Sequence, residues 1–198
     1  MQLILATHKM IEGLETLGDT WRTVYKEFPL YQVNPFGVVR SIYKNRNHIK
    51  NQRIYRKSYY RTSFIHKSVF KTVWIHRMVG KAFVLNPRPD IFDTIDHIDR
   101  DTMNNFYKNI RWVNRHLNSL NKRTYRGVSM VGGWYNIFLT FCGVNHYCGH
   151  TKSATEVVDV KDKIREELFN KLYMYLTQPV TWSKPETWKI NKEGVTTI

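Results

Sequence analysis

Acidic side chains are scarce in this chain. Asp and Glu number 16 against 31 Lys and Arg, a formal net charge of +15 over 198 residues. A surplus of that size points to a polyanionic partner. An anionic membrane surface is the rival, but long apolar runs and basic amphipathic helices are both missing. The opening MQLILATHKM is too short and too weakly patterned for a signal peptide or a membrane span. Cysteine is nearly absent, at two residues. With no secretory pattern ahead of them, they read as reduced thiols in a cytoplasmic setting. The length suits one sizeable domain or two or three small ones.

The shortage of acid is complete over residues 40–81, where no Asp or Glu occurs. Arg40, Lys44, Arg46, Lys50, Arg53, Arg56, Lys57, Arg61 and Arg77 fall in this stretch, with Tyr43, Tyr55, Tyr59 and Tyr60 among them. A charge run is often only a solvated face. Basic residues interleaved with tyrosines also make a phosphate-tracking surface, and double-stranded DNA is the expected partner. Residues 59–75 alternate enough for two strands around Lys67-Ser68.

What is present, and organises the rest, is residues 93–122, DTIDHIDRDTMNNFYKNIRWVNRHLNSLNK. The pattern predicts strand, Asn-rich loop, strand and helix. Asp96, His97, Asn109 and Asn118 could meet across it. One carboxylate, one imidazole and two amides suit a hard, oxygen-ligated cation beside a general base, so Mg²⁺ or Mn²⁺ fits better than zinc. Taken alone, Asp96 and His97 would read as polar turn residues, with the asparagines as caps and Asx-turns. On a straight strand the two side chains point to opposite faces, so a shared site requires the strand to end there.

The run from Asp96 to Asn118, with DxxxxNN, NIRWV and the final Asn in register, resembles the HNH nucleases, specifically the phage homing endonucleases. The resemblance implies a ββα-metal unit that cleaves double-stranded DNA at a specific site. It further implies that Asp96 and Asn118 hold the metal and that His97 activates water. Asn109 would brace the loop that orients His97. Arg111, inside the motif, is expected to touch DNA. A phage-encoded enzyme of this kind would work in the cytoplasm of its bacterial host, with no membrane and no obligate protein partner.

Two flanking stretches extend the resemblance. Residues 21–42 predict strand, turn and strand around Asn34-Pro35 and Gly37, and W…YQVN…GxVRS is similar to the small motif preceding such nuclease units. IHRMVGKAFVLNPRP (75–89) predicts a helix stopped by prolines. His76 on it is tempting as a second imidazole, though a structural role at the helix start is the expectation.

From about residue 124 the pattern predicts three short strands and an amphipathic helix over 154–176, with Val157, Val158, Ile164, Leu168 and Leu172 as its stripe. YRGV…GGW…G followed by that helix resembles the Apetala-type DNA-binding domain, whose sheet lies in the major groove. Arg126 matches an arginine of that sheet, and Arg123 just before it is a further DNA-contact candidate. On the middle strand Tyr135, Ile137 and Leu139 stand in place of the family's charged readers, which favours phosphate and shape contacts there. Cys142, His146, Cys148 and His150 could bind zinc, but their spacing matches no common closed motif. Ligands two apart on a straight strand also sit roughly 6–7 Å apart.

The expected fold class is therefore α+β. It comprises an N-terminal helical element (1–20), a β-rich basic arm (21–74) and an HNH nuclease core (75–122). A short linker near 121–123 then leads to a C-terminal three-stranded sheet plus helix (124–176) and a tail (177–198) packing through Trp182 and Trp188. Two other classes fit the composition: a non-catalytic DNA-binding regulator with a vestigial nuclease unit, and an RNA-binding protein.

Overall fold

The computed structural model describes residues 19–56, 58–122, 127–141 and 144–178, with two further strands at Trp188–Asn191 and Gly194–Thr197. The fold is mixed α/β, with several small sheets and few helices. No helix among the described residues is long and apolar enough to cross a membrane. Two compact units divide the chain. The first runs to Asn86 and resumes over Ile95–Trp112; the second takes Pro87–Thr94 and the chain from Val113.

In the first unit, β1 (Arg22–Thr23), β2 (Tyr31–Val33), β3 (Val39–Tyr43) and β4 (Arg46–Ile49) form an antiparallel sheet in sequence order. A second antiparallel sheet comprises β5 (Arg53–Tyr55), β6 (Tyr59–His66) and β7 (Val69–Trp74). Their tight hairpins turn on Lys44-Asn45 and Lys67-Ser68. All four residues have positive φ, at 47°, 59°, 47° and 65°, as two-residue turns that match strand twist require.

Strand β7 runs directly into helix α1 (Ile75–Phe83), which buries Ile75, His76, Met78, Val79 and Gly80. Gly80 weakens the helix in isolation, but it lets α1 lie against the strand β8 (Thr94–His97). A Cβ there would come within 2.5 Å of Ile95 Cδ1. Strand β9 (Ile110–Val113) pairs with β8, and Trp112 Nε1 donates to the Val84 carbonyl at the helix end, 3.0 Å away.

One hydrophobic core joins these elements. Val33 and Val39 come from the first sheet, Phe64 and Val73 from the second, Met78 and Val79 from α1, and Ile95 and Ile110 from β8 and β9. The expected boundary between an arm (21–74) and a nuclease core (75–122) is therefore not where contacts divide.

The second unit begins its long segment with helix α2 (Arg115–Leu120), capped by Asn114, whose Oδ1 accepts from Leu117 N at 2.9 Å. Strands β10 (Val128–Val131), β11 (Trp134–Phe141) and β12 (Val144–Thr151) form an antiparallel sheet. Helix α3 (Ala154–Thr177) follows, capped by Ser153. Val157, Ile164 and Leu168 of the predicted stripe are buried, as are Ile137, Leu139 and Cys148 of the sheet, while Val158 and Leu172 are half-buried. Residues 87–94, expected within the nuclease core, belong here. Phe92 stacks on Tyr173 of α3 at 5.4 Å, and Arg88 Nη1 donates to the Leu176 carbonyl at 3.0 Å. The tail carries a hairpin, β13 (Trp188–Asn191) with β14 (Gly194–Thr197), which its weak periodicity had concealed. The predicted helical element (1–20) and Trp182 fall almost wholly outside the described residues.

Candidate active site

Strand β8 ends at His97, and the chain turns at once. Arg100, with φ 69°, donates its N–H to the His97 carbonyl at 3.0 Å. Asp96 and His97 are both buried, at 5% and 4% exposure. Asp96 faces Arg111 across the strand pair, and its Oδ2 accepts from Arg111 Nε at 2.8 Å and Nη2 at 2.7 Å. Arg111, expected at the DNA, is thus first of all the partner of the proposed metal carboxylate.

The His97 ring is held on its other side. Its Nε2 lies 3.3 Å from Asn105 Oδ1, while Asn105 Nδ2 donates to the Met103 carbonyl at 3.2 Å. That second bond orients the amide, leaving an acceptor toward the imidazole. An Nε2–H on His97 would find its acceptor there, and that tautomer would leave the lone pair on Nδ1, the form a general base needs.

The Asn-rich loop between the strands is a lattice of Asx-type bonds. Asp99 Oδ1 accepts from Asn109 Nδ2 at 2.8 Å and from Asp101 N at 2.8 Å, and Asp99 Oδ2 accepts from Asn104 Nδ2 at 2.7 Å. Asn109 also accepts from Asp99 N through Oδ1 at 3.0 Å, and its backbone carbonyl accepts from Ile98 N at 2.8 Å. It therefore grips both residues that follow His97. Partial burial raises the Asp99 carboxyl pKa, but the bonds from Asn104, Asn109 and Asp101 and the charge of His97 outweigh it. The net pKa lies below the ordinary carboxylate value.

The β2–β3 turn supports this loop from below. Asn34 Oδ1 accepts from Phe36 N and Val38 N at 3.1 and 2.8 Å, closing an Asx-turn. Tyr107 N donates to Pro35 O at 2.9 Å, and Phe36 stacks on Phe106 at 5.1 Å. Gly37, at φ 83°, leaves room that a Cβ would take from Asn105, whose own Cβ would be 2.9 Å away.

Asn118 lies half-buried on α2 in the second unit, its N–H donating to the Asn114 carbonyl at 3.0 Å. Asn105 and Asp99 were not singled out from the sequence, although both belong to the DxxxxNN pattern. His76 sits in the first turn of α1, 8% exposed, its ring 5.4 Å from that of His97. Burial, then the charges of His97 and Arg77, lower its pKa from 6.5 to about 3.

The basic residues separate into several groups. Lys50, Arg53 and Arg61 line a cleft of about 650 Å³ between the two sheets, with Ser41, His48, Thr72 and Phe70. Lys44 and Arg46 are exposed on the β3–β4 hairpin, and Arg77 is exposed on α1. Arg56 and Arg61 both lie over Tyr55, at 5.1 and 4.4 Å. Arg40 is engaged within the sheet, bonding Gln32 Oε1 at 2.7 and 2.9 Å and covering Trp21 at 4.2 Å. Lys57, Arg123, Arg126 and Cys142 lie outside the described residues.

In the C-terminal sheet Ile137 and Leu139 are buried with the helix residues. Of the strand residues compared with the family's readers, Ile137 and Leu139 are therefore core residues and Tyr135 is half-buried. The alternate set is Trp134, Asn136, Phe138 and Thr140. Trp134 meets the His150 ring at 4.9 Å and lies under Lys152 Nζ at 4.7 Å. Cys148 is a free, buried thiol whose pKa burial pushes up, and His150 Nδ1 is bonded to Tyr147 OH at 2.8 Å. Among the described residues no three His, Cys, Asp or Glu side chains gather as a metal site.

No protein-family model matches the chain, and no curated protein does. A solved structure that matches is that of DNA binding and cleavage by the HNH homing endonuclease I-HmuI. It is 27% identical, covers 52% of this chain and 56% of that one, and has a TM-score of 0.45. The chain thus spans little more than half the length of that protein.

Proposed function

We infer that the chain is an HNH-type, divalent-metal-dependent DNA endonuclease, of the site-specific homing kind, with His97 as its general base. The observation that carries this reading is the hold on His97. Asn105 offers an acceptor to Nε2 of His97, and Asn109 bonds the two residues after it. Nδ1 would then be the nitrogen that takes a proton from water as the oxygen attacks phosphorus and the P–O bond to the leaving oxygen breaks. A positioned base of this kind contributes on the order of 10²–10⁴-fold.

Asp96 and Asn118 would hold Mg²⁺ or Mn²⁺. A buried carboxylate and an amide oxygen are hard donors of the right type. When bound, the cation stabilises charge developing at the phosphate and on the leaving oxygen. The basic cleft and hairpins of the first unit, with Arg53, Arg61, Arg46 and Lys44, supply phosphate contacts. The C-terminal sheet adds a second DNA contact, through its Trp134 and Asn136 face together with Arg123 and Arg126.

The test is incubation of the full chain with phage genomic DNA and Mg²⁺, followed by mapping of breaks on each strand. Discrete breaks that vanish in His97→Ala, with DNA binding retained, support the reading. Cleavage by His97→Ala at the wild-type rate overturns it.

A further inference from the structure

Helix α1 and strand β8 are matched along their lengths. Gly80 and His76 are four residues apart on the helix, about 6 Å of rise. Ile95 and His97 are two apart on the strand, about 6.6 Å. The close approach of Gly80 to Ile95 therefore sets His76 opposite His97. The two rings meet edge to face, with centroids 5.4 Å apart and planes at 64°. Tyr59 closes the corner, 5.1 Å from His76 and 6.1 Å from His97, and Trp74 stands 6.0 Å from Tyr59.

His76 has no evident use of its own in this wall. Its Nδ1 is buried without a hydrogen-bond partner, an expensive state for a polar atom. Burial also keeps the ring uncharged near neutral pH, so it cannot supply or hold a proton there.

We propose that His76 is a positioning residue for His97: its ring, backed by Tyr59, fixes the plane of the His97 imidazole while Asn105 fixes its Nε2. This rests on the reading of His97 as the base. His76 acts through His97 and touches no reacting atom. Without the wall, the His97 ring can rotate about its Cβ–Cγ bond, and Nδ1 loses its aim at the attacking water. Misplacement on that scale lowers a rate on the order of 10²-fold.

Two variants and two measurements test this. His76→Leu removes the ring, and His76→Phe keeps a flat, uncharged ring. In single-turnover cleavage at saturating DNA, His76→Leu should lose on the order of tenfold to a hundredfold in rate with unchanged DNA affinity, and His76→Phe should recover most of it. The second readout needs no cleavage. Imidazole nitrogen NMR should show His97 as one fixed Nε2–H form in the wild type and in His76→Phe, and as averaged forms in His76→Leu. An unchanged His97 spectrum in His76→Leu overturns the proposal, whether or not the protein cuts DNA. So does an equal rate loss in both variants, which would mean that a nitrogen of His76 is used rather than its ring. Loss of the nuclease reading itself shows separately, as wild-type protein that makes no breaks or His97→Ala that makes them.

Discussion

Arg111 directs two donors, Nε and Nη2, at a single oxygen of Asp96, at 2.8 and 2.7 Å. The carboxylate is 6% exposed and the guanidinium 21%, so the pair is largely shielded and each member depends on the other. A cation bound by Asp96 would share the carboxylate with Arg111.

Arg111→Met should therefore destabilise the metal-free protein by about 3 kcal/mol, because a buried carboxylate loses its partner. Mg²⁺ or Mn²⁺ should restore more of this loss than it adds to the wild type. Thermal unfolding with and without the metal, in both proteins, measures the difference. Equal metal effects would show that Asp96 is not a ligand.

Asn109→Ala removes the bonds to Asp99 and Asn104 O while leaving the backbone bond from Ile98. Cleavage should fall on the order of 10²-fold with DNA affinity retained, and the Asp99 amide should exchange its hydrogen faster. A rate near wild type with a freely exchanging Asp99 amide would show that loop order does not govern the base.

Gly37→Ala places a Cβ 2.9 Å from that of Asn105, at a φ of 83° where alanine is strained. The expected result is a modest loss of stability, about 1–3 kcal/mol, and a larger loss of cleavage as Asn105 is pushed from His97. Measuring melting temperature and single-turnover rate on the same preparation separates the two effects. A variant that cuts normally would show that Asn105 need not hold its place.

Changing Arg46, Arg53, Arg56 and Arg61 to Gln should flatten the salt dependence of DNA binding. Each lost phosphate contact lowers the slope of log K against log salt by about 0.9. Arg40→Gln should change it less, because Arg40 is already bound to Gln32 and Trp21. Titrations at several salt concentrations give the slopes.

His76 sets a pH dependence whose sign is fixed. Its folded pKa, about 3, lies below the ordinary 6.5, so the unfolded chain binds the proton first. Its contribution to stability is complete above pH 6.5 and falls away as pH drops toward 3, by at most about 1.4 kcal/mol per pH unit. His76→Phe should lack this component in that window. Denaturant midpoints across pH 3–7 in both proteins provide the check.

The sequence by itself determined the local elements. Alternation marked the hairpin around Lys67-Ser68 and extended chain at 31–33 and 38–42, and helical spacing marked Val157, Ile164 and Leu168 of α3, because these depend on neighbours a few residues away. It also marked Asp96, His97, Asn109 and Asn118 through a gapless pattern. Tertiary structure decided which polar residues meet. Arg111 faces Asp96 through strand pairing, and Asn105 reaches His97 through a loop folded on itself. His76 reaches His97 because a glycine one helical turn away lets α1 close on β8. Faces were decided there too. Ile137 and Leu139 are buried because α3 packs on their side of β11, and a strand's own alternation cannot say which of its two faces a helix will cover.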